Sequence, residues 1–259
     1  MDNVVVAHLV FGIFGNVSAL FLFLSPVFTF RRIVKKRSTE EFSGVPYNMT
    51  LLNCLLSAWY GLPFVSPNNT LVWTINGTGT VLEVVYVTMF LVFARKDTRA
   101  KMAGLLALVC SVFAAVALVS LLVLHGENGR KVFCGTAASV FSICMYASPL
   151  AVMRLVIETK SVEFMPFPLS LFSFLCGTSW FIYGILGRDV FIMVPNGCGS
   201  ALGAAQLILY AMYRKNKGPG KTAVASGDTA EAGDAKQVEI EMGGGGGGGG
   251  GAKAAQNKV

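Results

Sequence analysis

Residues 25–40 read SPVFTFRRIVKKRSTE, and residues 148–163 read SPLAVMRLVIETKSVE. Both stretches begin with Ser-Pro, continue through apolar residues, and end on a basic residue followed by Ser-x-Glu. The second stretch lies 123 residues after the first. A pattern that returns at a fixed distance indicates an internal repeat. The chain is therefore predicted to contain two similar halves.

Two further matches extend this repeat along the chain. Tyr60-Gly61 returns as Tyr183-Gly184, again after 123 residues. Residues 74–79, TINGTG, return as residues 194–199, VPNGCG, after 120 residues. Because all three matches keep the same order and nearly the same spacing, the repeat covers most of each half.

The composition indicates an integral membrane protein. Of the 259 residues, 54% are hydrophobic and 14% are charged, and the mean hydropathy is +0.61. A soluble domain usually has about 25% charged residues. Residues 215–259 are polar and contain nine consecutive glycines, Gly243 to Gly251, so we expect a disordered cytoplasmic tail there.

Seven apolar stretches approach or exceed the about 20 residues that a helix needs to cross a bilayer. They lie at roughly 5–30, 44–65, 70–93, 102–124, 131–153, 166–187 and 190–213. Together with the repeat, they predict an all-α membrane protein with seven transmembrane helices, in which spans 1–3 recur as spans 5–7 and span 4 connects them (3+1+3). The predicted units are residues 1–101, the linker 102–124, residues 125–214 and the tail 215–259.

The odd number of spans in each unit makes the fourth span necessary for both units to run in the same direction. Parallel repeats of this kind place a binding site between them, near the middle of the membrane. Lys and Arg concentrate in the loops after spans 1, 3, 5 and 7, so we expect the N-terminus outside and the tail in the cytoplasm. The net charge of +7 then reflects topology rather than nucleic-acid binding.

The chain contains few residues of the types that catalyse reactions or bind metals. The chain has two histidines, and its six cysteines form no Cys-x-x-Cys pair and no zinc-type cluster. We therefore expect no enzyme activity, no metal and no cofactor.

Several motifs resemble those of the SWEET sugar transporters of plants, over about residues 7–214. These are Gly-Val-Pro-Tyr-Asn at 44–48, Ser-Ala-Trp-Tyr-Gly at 57–61, Ala-Ser-Pro-Leu at 147–150, Lys-Ser-Val-Glu-Phe-Met-Pro at 160–166, Cys-Gly-Thr-Ser-Trp at 176–180 and Val-Pro-Asn-Gly at 194–197. The similarity is greatest to the subgroup associated with glucose and other hexoses. It implies a facilitative, bidirectional uniporter that works by alternating access.

Two asparagines at equivalent repeat positions, Asn76 and Asn196, are the strongest candidates for substrate binding. A carboxamide both donates and accepts hydrogen bonds, which suits the hydroxyls of a neutral sugar. The alternative from the residues alone is a hydrogen bond between helices, which is common in membranes. The resemblance implies that the pair contacts sugar and that Trp180 stacks on the sugar ring.

The resemblance also places Ser57, Cys54, Met145 and Cys176 at or near the pocket, with plain helix packing as the alternative for the last three. Met145 is bulky at a position where disaccharide carriers of the family have something smaller. This difference indicates a pocket of hexose size.

The resemblance implies two gates. Pro26, Pro46, Pro149 and Pro166, one from each of spans 1, 2, 5 and 6, match a proline tetrad that lets helices bend around an inner gate, with Pro168 as an additional proline. Tyr60 and Asp189 match the outer gate, and Gly61 allows close helix approach there. From the residues alone, Asp189 would be read as part of a solvated turn.

The predicted spans contain one deeply placed acid, Glu83, and an intramembrane carboxylate is a candidate for function. A single acid favours uncoupled transport, with a proton-coupled carrier of another small neutral solute as an alternative. A seven-helix receptor or scaffold that signals through the tail is the alternative from another class. We expect an oligomer of similar subunits in the plasma membrane, with the vacuolar membrane as the alternative.

Overall fold

The structure, a computed structural model, describes residues 3–215, and the regular structure of these residues is helical. The predicted tail lies outside the described residues except for Lys215. The helices are α1 (Asn3–Leu24), α2 (Val27–Lys36), α3 (Val45–Tyr60), α4 (Thr70–Phe93), α5 (Lys96–Leu118, continued by a π-helical turn, Val119–Val123), α6 (Glu127–Cys144), α7 (Ala147–Thr159), α8 (Phe167–Leu186) and α9 (Val190–Tyr213).

Two of the predicted spans are broken into two helices. The first span is interrupted between α1 and α2 at Pro26, and the fifth between α6 and α7, just before Pro149. A proline lacks the backbone N–H that would continue the helix and clashes with the preceding turn. The two breaks, at residues 25–26 and 145–146, therefore lie about three residues from exact equivalence in the repeat.

Six helical stretches of the described residues are long and apolar enough to cross a membrane. The second predicted span, 44–65, is shorter than expected, because α3 ends at Tyr60 after 16 residues and Gly61 caps it. Pro63 follows shortly after. Helix α3 is also the most enclosed part of the first half, and six of its residues are buried: Asn48, Leu51, Leu52, Cys54, Leu56 and Tyr60.

The opening motif forms the same local structure twice. Arg37 and Lys160 end α2 and α7 in the left-handed conformation, with φ of 51° and 53°. In the following turns, the hydroxyls of Ser38 and Ser161 accept a hydrogen bond from the backbone N–H two residues later, at 3.1 and 3.3 Å. The sequence repeat is therefore also a structural one.

The helices form a closed ring in the order α1, α4, α3, α6, α9, α8 and back to α1. We call α1–α4 the first half and α6–α9 the second half. In each half the third span lies between the other two, and each half contacts the other through equivalent pairs, α1 with α8 and α6 with α3. Helix α5 packs outside this ring against α3, where Trp59 Nε1 donates to Ser120 Oγ at 3.0 Å.

The packing differs between the two ends of the ring. One apolar core contains residues of both halves, among them Val72 and Tyr183, and includes the end of the ring that carries Tyr60, which we call the Tyr60 end. At the opposite, basic end, the apolar residues form two separate cores. One contains Phe30 and Phe90 of the first half, and the other contains Val156 of the second half. The two halves thus share an apolar core that includes the Tyr60 end, whereas each half has an apolar core of its own at the basic end.

Candidate functional site

A cavity of about 210 Å³ lies inside the ring, between the two halves. Helices α1, α3, α4, α6, α8 and α9 all contribute to its wall. Its polar lining is supplied by Asn53, Ser57, Asn76, Ser142 and Asn196, together with the indole of Trp180.

The two candidate asparagines line this cavity in equivalent ways. Asn76 Nδ2 donates to the carbonyl of Val72 at 2.9 Å, and Asn196 Nδ2 donates to the carbonyl of Ile192 at 2.8 Å. Each bond runs one turn back along the same helix, so it fixes the side chain without joining two helices. Each amide keeps its oxygen and one N–H for a ligand.

Trp180 and Ser57 also line the cavity, as does Cys176. Ser57 and Trp180 occupy equivalent positions of the repeat. The first half therefore places a small hydroxyl at this position of the cavity, and the second half places a large aromatic side chain there. Room for the indole comes from Gly15 of α1, because a Cβ there would lie 2.8 Å from Trp180 Nε1. The cavity is therefore asymmetric in shape.

Cys54 and Met145 do not contribute to the cavity lining. Cys54 is fully buried between α3 and α4, and a Cβ at Gly79 would lie 2.8 Å from its sulfur. Met145 lies at the break between α6 and α7.

Sequence reasoning missed one polar pair in the lining. Ser142 Oγ donates to Asn53 Oδ1 at 2.7 Å, which joins α6 to α3 across the two halves. Their repeat equivalents, Ala19 and Cys176, cannot form such a bond, because the side chain of alanine has neither a donor nor an acceptor. Asn53 lies one helical turn before Ser57 and therefore on the same face of α3. Because Ser57 was already a candidate, this spacing could have identified Asn53 from the sequence.

Helix α9 contains a proline, Pro195, directly before Asn196. A proline leaves the carbonyl one turn earlier without its helical partner, and here Ser139 Oγ of α6 donates to this carbonyl, that of Phe191, at 2.8 Å. Tyr146 OH donates to the carbonyl of Pro195. The helix that carries Asn196 is thus fastened to α6 one turn before the proline, and to Tyr146, in the break between α6 and α7, at the proline itself.

The Tyr60 end is closed by a buried network around Asp189. Tyr60 OH lies 2.8 and 2.6 Å from the two carboxylate oxygens, and both residues are at most 4% exposed. The backbone N–H of Phe191 donates to Asp189 Oδ1 at 3.1 Å, and Lys131 Nζ lies 3.6 Å from Oδ2. The predicted gate pair is therefore in contact, although Asp189 lies in a buried network rather than a solvated turn.

The helices approach closely behind this network. A Cβ at Gly61 would lie 2.6 Å from the backbone nitrogen of Trp73, and a Cβ at Gly184 would lie 2.6 Å from that of Met193. Gly61 and Gly184 are repeat equivalents, and so are Trp73 and Met193. Both halves therefore need glycine at the same crossing.

The four predicted hinge prolines occupy helix breaks and helix starts at the basic end. Pro26 precedes α2, Pro149 lies in the first turn of α7, Pro46 in the first turn of α3, and Pro166 precedes α8. Pro168 lies at the second position of α8, where no helical hydrogen bond from its nitrogen is lost.

The basic loop after α2 folds back onto that helix. Lys36 Nζ and Arg32 Nε lie 2.6 and 2.7 Å from the carboxylate of Glu40. These hydrogen bonds, that of Lys36 foremost, hold the pKa of Glu40 below its usual value.

Glu83 lies in α4, is 2% exposed, and has one carboxylate oxygen without a hydrogen-bond partner. It does not belong to the cavity lining. The single intramembrane acid is thus separated from the candidate substrate site.

Comparisons with known proteins agree on one relationship. A family model described as "Sugar efflux transporter for intercellular exchange" matches residues 9–98 and 132–218. The bidirectional sugar transporter SWEET1a of Oryza sativa subsp. japonica is 71% identical, over 90% of this chain and 85% of its own. The bidirectional sugar transporter SWEET1 of Arabidopsis thaliana is 68% identical, over 82% of this chain and 86% of its own.

A solved structure of a eukaryotic SWEET transporter superimposes with a TM-score of 0.79 at 49% identity, covering 82% of this chain and 98% of that one. This likeness confirms the predicted seven-helix, 3+1+3 arrangement.

Proposed function

The chain belongs to the SWEET family of sugar transporters, and we propose that it carries a hexose, above all glucose, across a membrane by alternating access at the cavity of Asn76 and Asn196. Membership in a transporter family also confirms that the chain is not an enzyme. The observation that carries the proposal is the pair of equivalent amides, each fixed to its own helix, in one cavity between the two halves.

The chemistry of the lining suits a neutral sugar. The free amide groups of Asn76 and Asn196 can exchange hydrogen bonds with hydroxyls, while the face of Trp180 can cover the C–H face of the ring. A dissociation constant on the order of 1 mM corresponds to about −4.1 kcal/mol, and hydrogen bonds of about 0.5–1.5 kcal/mol each plus one stacked ring can supply it. Weak binding of this kind allows release on the far side.

The size of the cavity favours a monosaccharide. Its volume of about 210 Å³ lies below the about 300–1,000 Å³ of pockets for drug-sized ligands. The side chains of Trp180 and Phe191 occupy part of the space between the halves, which leaves little room for a second sugar ring.

A comparison of glucose uptake with sucrose uptake tests the proposed substrate. In cells that lack their own sugar carriers, we expect expression of the chain to raise uptake of radiolabelled glucose at least fivefold over empty-vector cells, and uptake of sucrose to stay near background. Equal transport of both sugars would contradict the hexose assignment. Transport of neither sugar, at normal surface expression, would contradict the proposed function itself.

The difference between the two ends supports alternating access. Tyr60 contacts Asp189 across the two halves, while each half has its own apolar core at the basic end, and this difference supports a state that is open on the basic side. We propose that residues 1–101 and 125–214 rock against each other, with residues 102–124 as the link. Bending at Pro26, Pro46, Pro149 and Pro166 would close the basic end when the Tyr60 end opens.

The membrane orientation follows from the basic loops. Lys and Arg concentrate at the end of the ring that carries α2 and α7, which is typical of the cytoplasmic side. We therefore propose that the N-terminus and the Tyr60 end face outward and that the tail lies in the cytoplasm. The plasma membrane is a separate proposal, with the vacuolar membrane as its alternative. An assembly with similar subunits is proposed from the family resemblance.

Replacement of Glu83 by glutamine tests uncoupled transport against proton coupling. Because Glu83 lies outside the cavity lining, we expect Glu83→Gln to keep at least half of the parental glucose uptake, and a proton ionophore to leave uptake by both proteins unchanged. The measurement is initial uptake with and without the ionophore. Strong inhibition of the parent by the ionophore, together with loss of uptake in Glu83→Gln, would favour a coupled carrier.

A further inference from the structure

The closed end contains a second pair of residues that mirrors Tyr60 and Asp189. Tyr183 OH lies 3.3 Å from Asn69 Oδ1, and Asn69 Nδ2 donates to Asp189 Oδ2 at 2.9 Å. Tyr183 is the repeat equivalent of Tyr60, and Asn69 is the repeat equivalent of Asp189. Each tyrosine therefore reaches the residue that precedes the last span of the other half, and these two residues contact each other.

The side chain of Asn69 serves this network rather than its own helix. An asparagine at the position before a helix ordinarily accepts a hydrogen bond from a backbone N–H of the first turn. Asp189 does so before α9, whereas Asn69 makes no such bond before α4. Its N–H groups instead donate to Asp189 and to Ser66 Oγ, the latter at 2.6 Å.

This second pair is buried, as the first pair is. Asn69 is 7% and Tyr183 is 1% exposed. The ring of Tyr183 stacks on His8 of α1, with centroids 3.8 Å apart, and its hydroxyl also lies 3.4 Å from the carbonyl of Asn68. Buried groups with several partners are costly to separate, so both pairs oppose opening of this end.

Charge explains why the two halves differ here. Asp189 is a carboxylate whose salt bridge is to Lys131. A second carboxylate at position 69, within hydrogen-bond distance of the first, would repel it, since two acids that share a site cannot both ionise at low cost. An amide at the same position donates to Asp189 instead.

We propose that Asn69 and Tyr183 form a second latch of the outer gate, and that residue 69 must be an uncharged amide for the Tyr60 end to close as long as position 189 is a carboxylate. This inference rests on the proposed function, in which that end opens and closes during transport. Asn69 acts here as a positioning residue that does not touch the sugar.

The test measures opening of the Tyr60 end directly. Cys176 lines the cavity, and in a background in which the other five cysteines are replaced by serine, its labelling by a membrane-impermeant maleimide reports access from outside sealed cells. We expect Asn69→Asp to raise the labelling rate at least tenfold and to lower maximal glucose uptake at least fivefold. Tyr183→Phe, which removes only the hydroxyl, is expected to raise labelling about threefold.

Two further variants make the result specific. The double variant Asn69→Asp/Asp189→Asn exchanges acid and amide between the halves, and we expect it to label within twofold of the parent. Asn128→Asp places a new carboxylate at an exposed position of the same end and is expected to label like the parent. The proposal would be overturned if Asn69→Asp and Tyr183→Phe were both labelled at the rate of the parent. It would also be overturned if Asn69→Asp and Asn128→Asp raised the labelling rate equally.

Should Asn69→Asp fail to reach the membrane, Tyr183→Phe and the exchanged double variant decide the question through the same labelling rates. Absence of glucose uptake by the parent would instead count against the proposed function, because the labelling comparison requires no transport.

Discussion

Replacement of Asn196 by alanine is expected to reduce glucose uptake about 30-fold at low glucose, and replacement of Asn76 is expected to have a similar effect. Each substitution removes an amide that offers the sugar one donor and one acceptor. Loss of two hydrogen bonds costs about 2 kcal/mol, which corresponds to about 30-fold. The expected similarity of the two variants follows from their equivalent bonds to Val72 and Ile192.

The measurement is initial glucose uptake, normalised to the amount of protein at the cell surface. Asn128→Ala is the matched control, because Asn128 is an exposed asparagine far from the cavity lining, and it is expected to retain parental uptake. Normal uptake by Asn196→Ala at normal surface expression would contradict the assignment of the substrate site.

Replacement of Gly184 by alanine is expected to lower glucose uptake at least tenfold. The cause here is a steric clash between two helices rather than the loss of hydrogen bonds to the sugar. The added methyl would lie 2.6 Å from the backbone nitrogen of Met193, and backbone cannot rotate away as a side chain can. Helices α8 and α9 must then move apart beside Asp189, so closure of the Tyr60 end is lost. Gly61→Ala repeats the same clash between α3 and α4 and is expected to behave alike.

Overpacking of this kind costs about 1–3 kcal/mol, so the unfolding temperature of the purified protein is expected to fall by several degrees. Gly104→Ala in α5 is the control, since a Cβ there meets nothing within 4 Å. Uptake and stability of Gly184→Ala equal to those of Gly104→Ala would show that the close approach is dispensable.

The location of the helices could be predicted from the sequence because membrane spans are recorded in apolar length. The residues at which individual helices begin and end were less predictable. Helix α3 ends at Tyr60 since Gly61 and Pro63 follow, although apolar residues continue to position 65. Hydropathy measures affinity for the bilayer, and it does not register where the backbone stops being helical.

The repeat identified equivalent residues, and this was enough to select Asn76 and Asn196. It did not predict contacts. Asn53 meets Ser142, and Tyr183 meets Asn69, in each case across the two halves. No sequence interval between such residues is characteristic, because their contact depends on how the two halves pack.

What the sequence by itself determined is the membrane class, the seven spans, the 3+1+3 repeat and the pair of asparagines, since each is recorded in local composition or in a fixed spacing. Only the tertiary structure decided that the first and third spans of each half are neighbours in a ring, that Cys54 is not part of the cavity lining, and that Asn69 donates a hydrogen bond to Asp189. These features arise from the packing of one half against the other, where residues far apart in the chain come within hydrogen-bond distance.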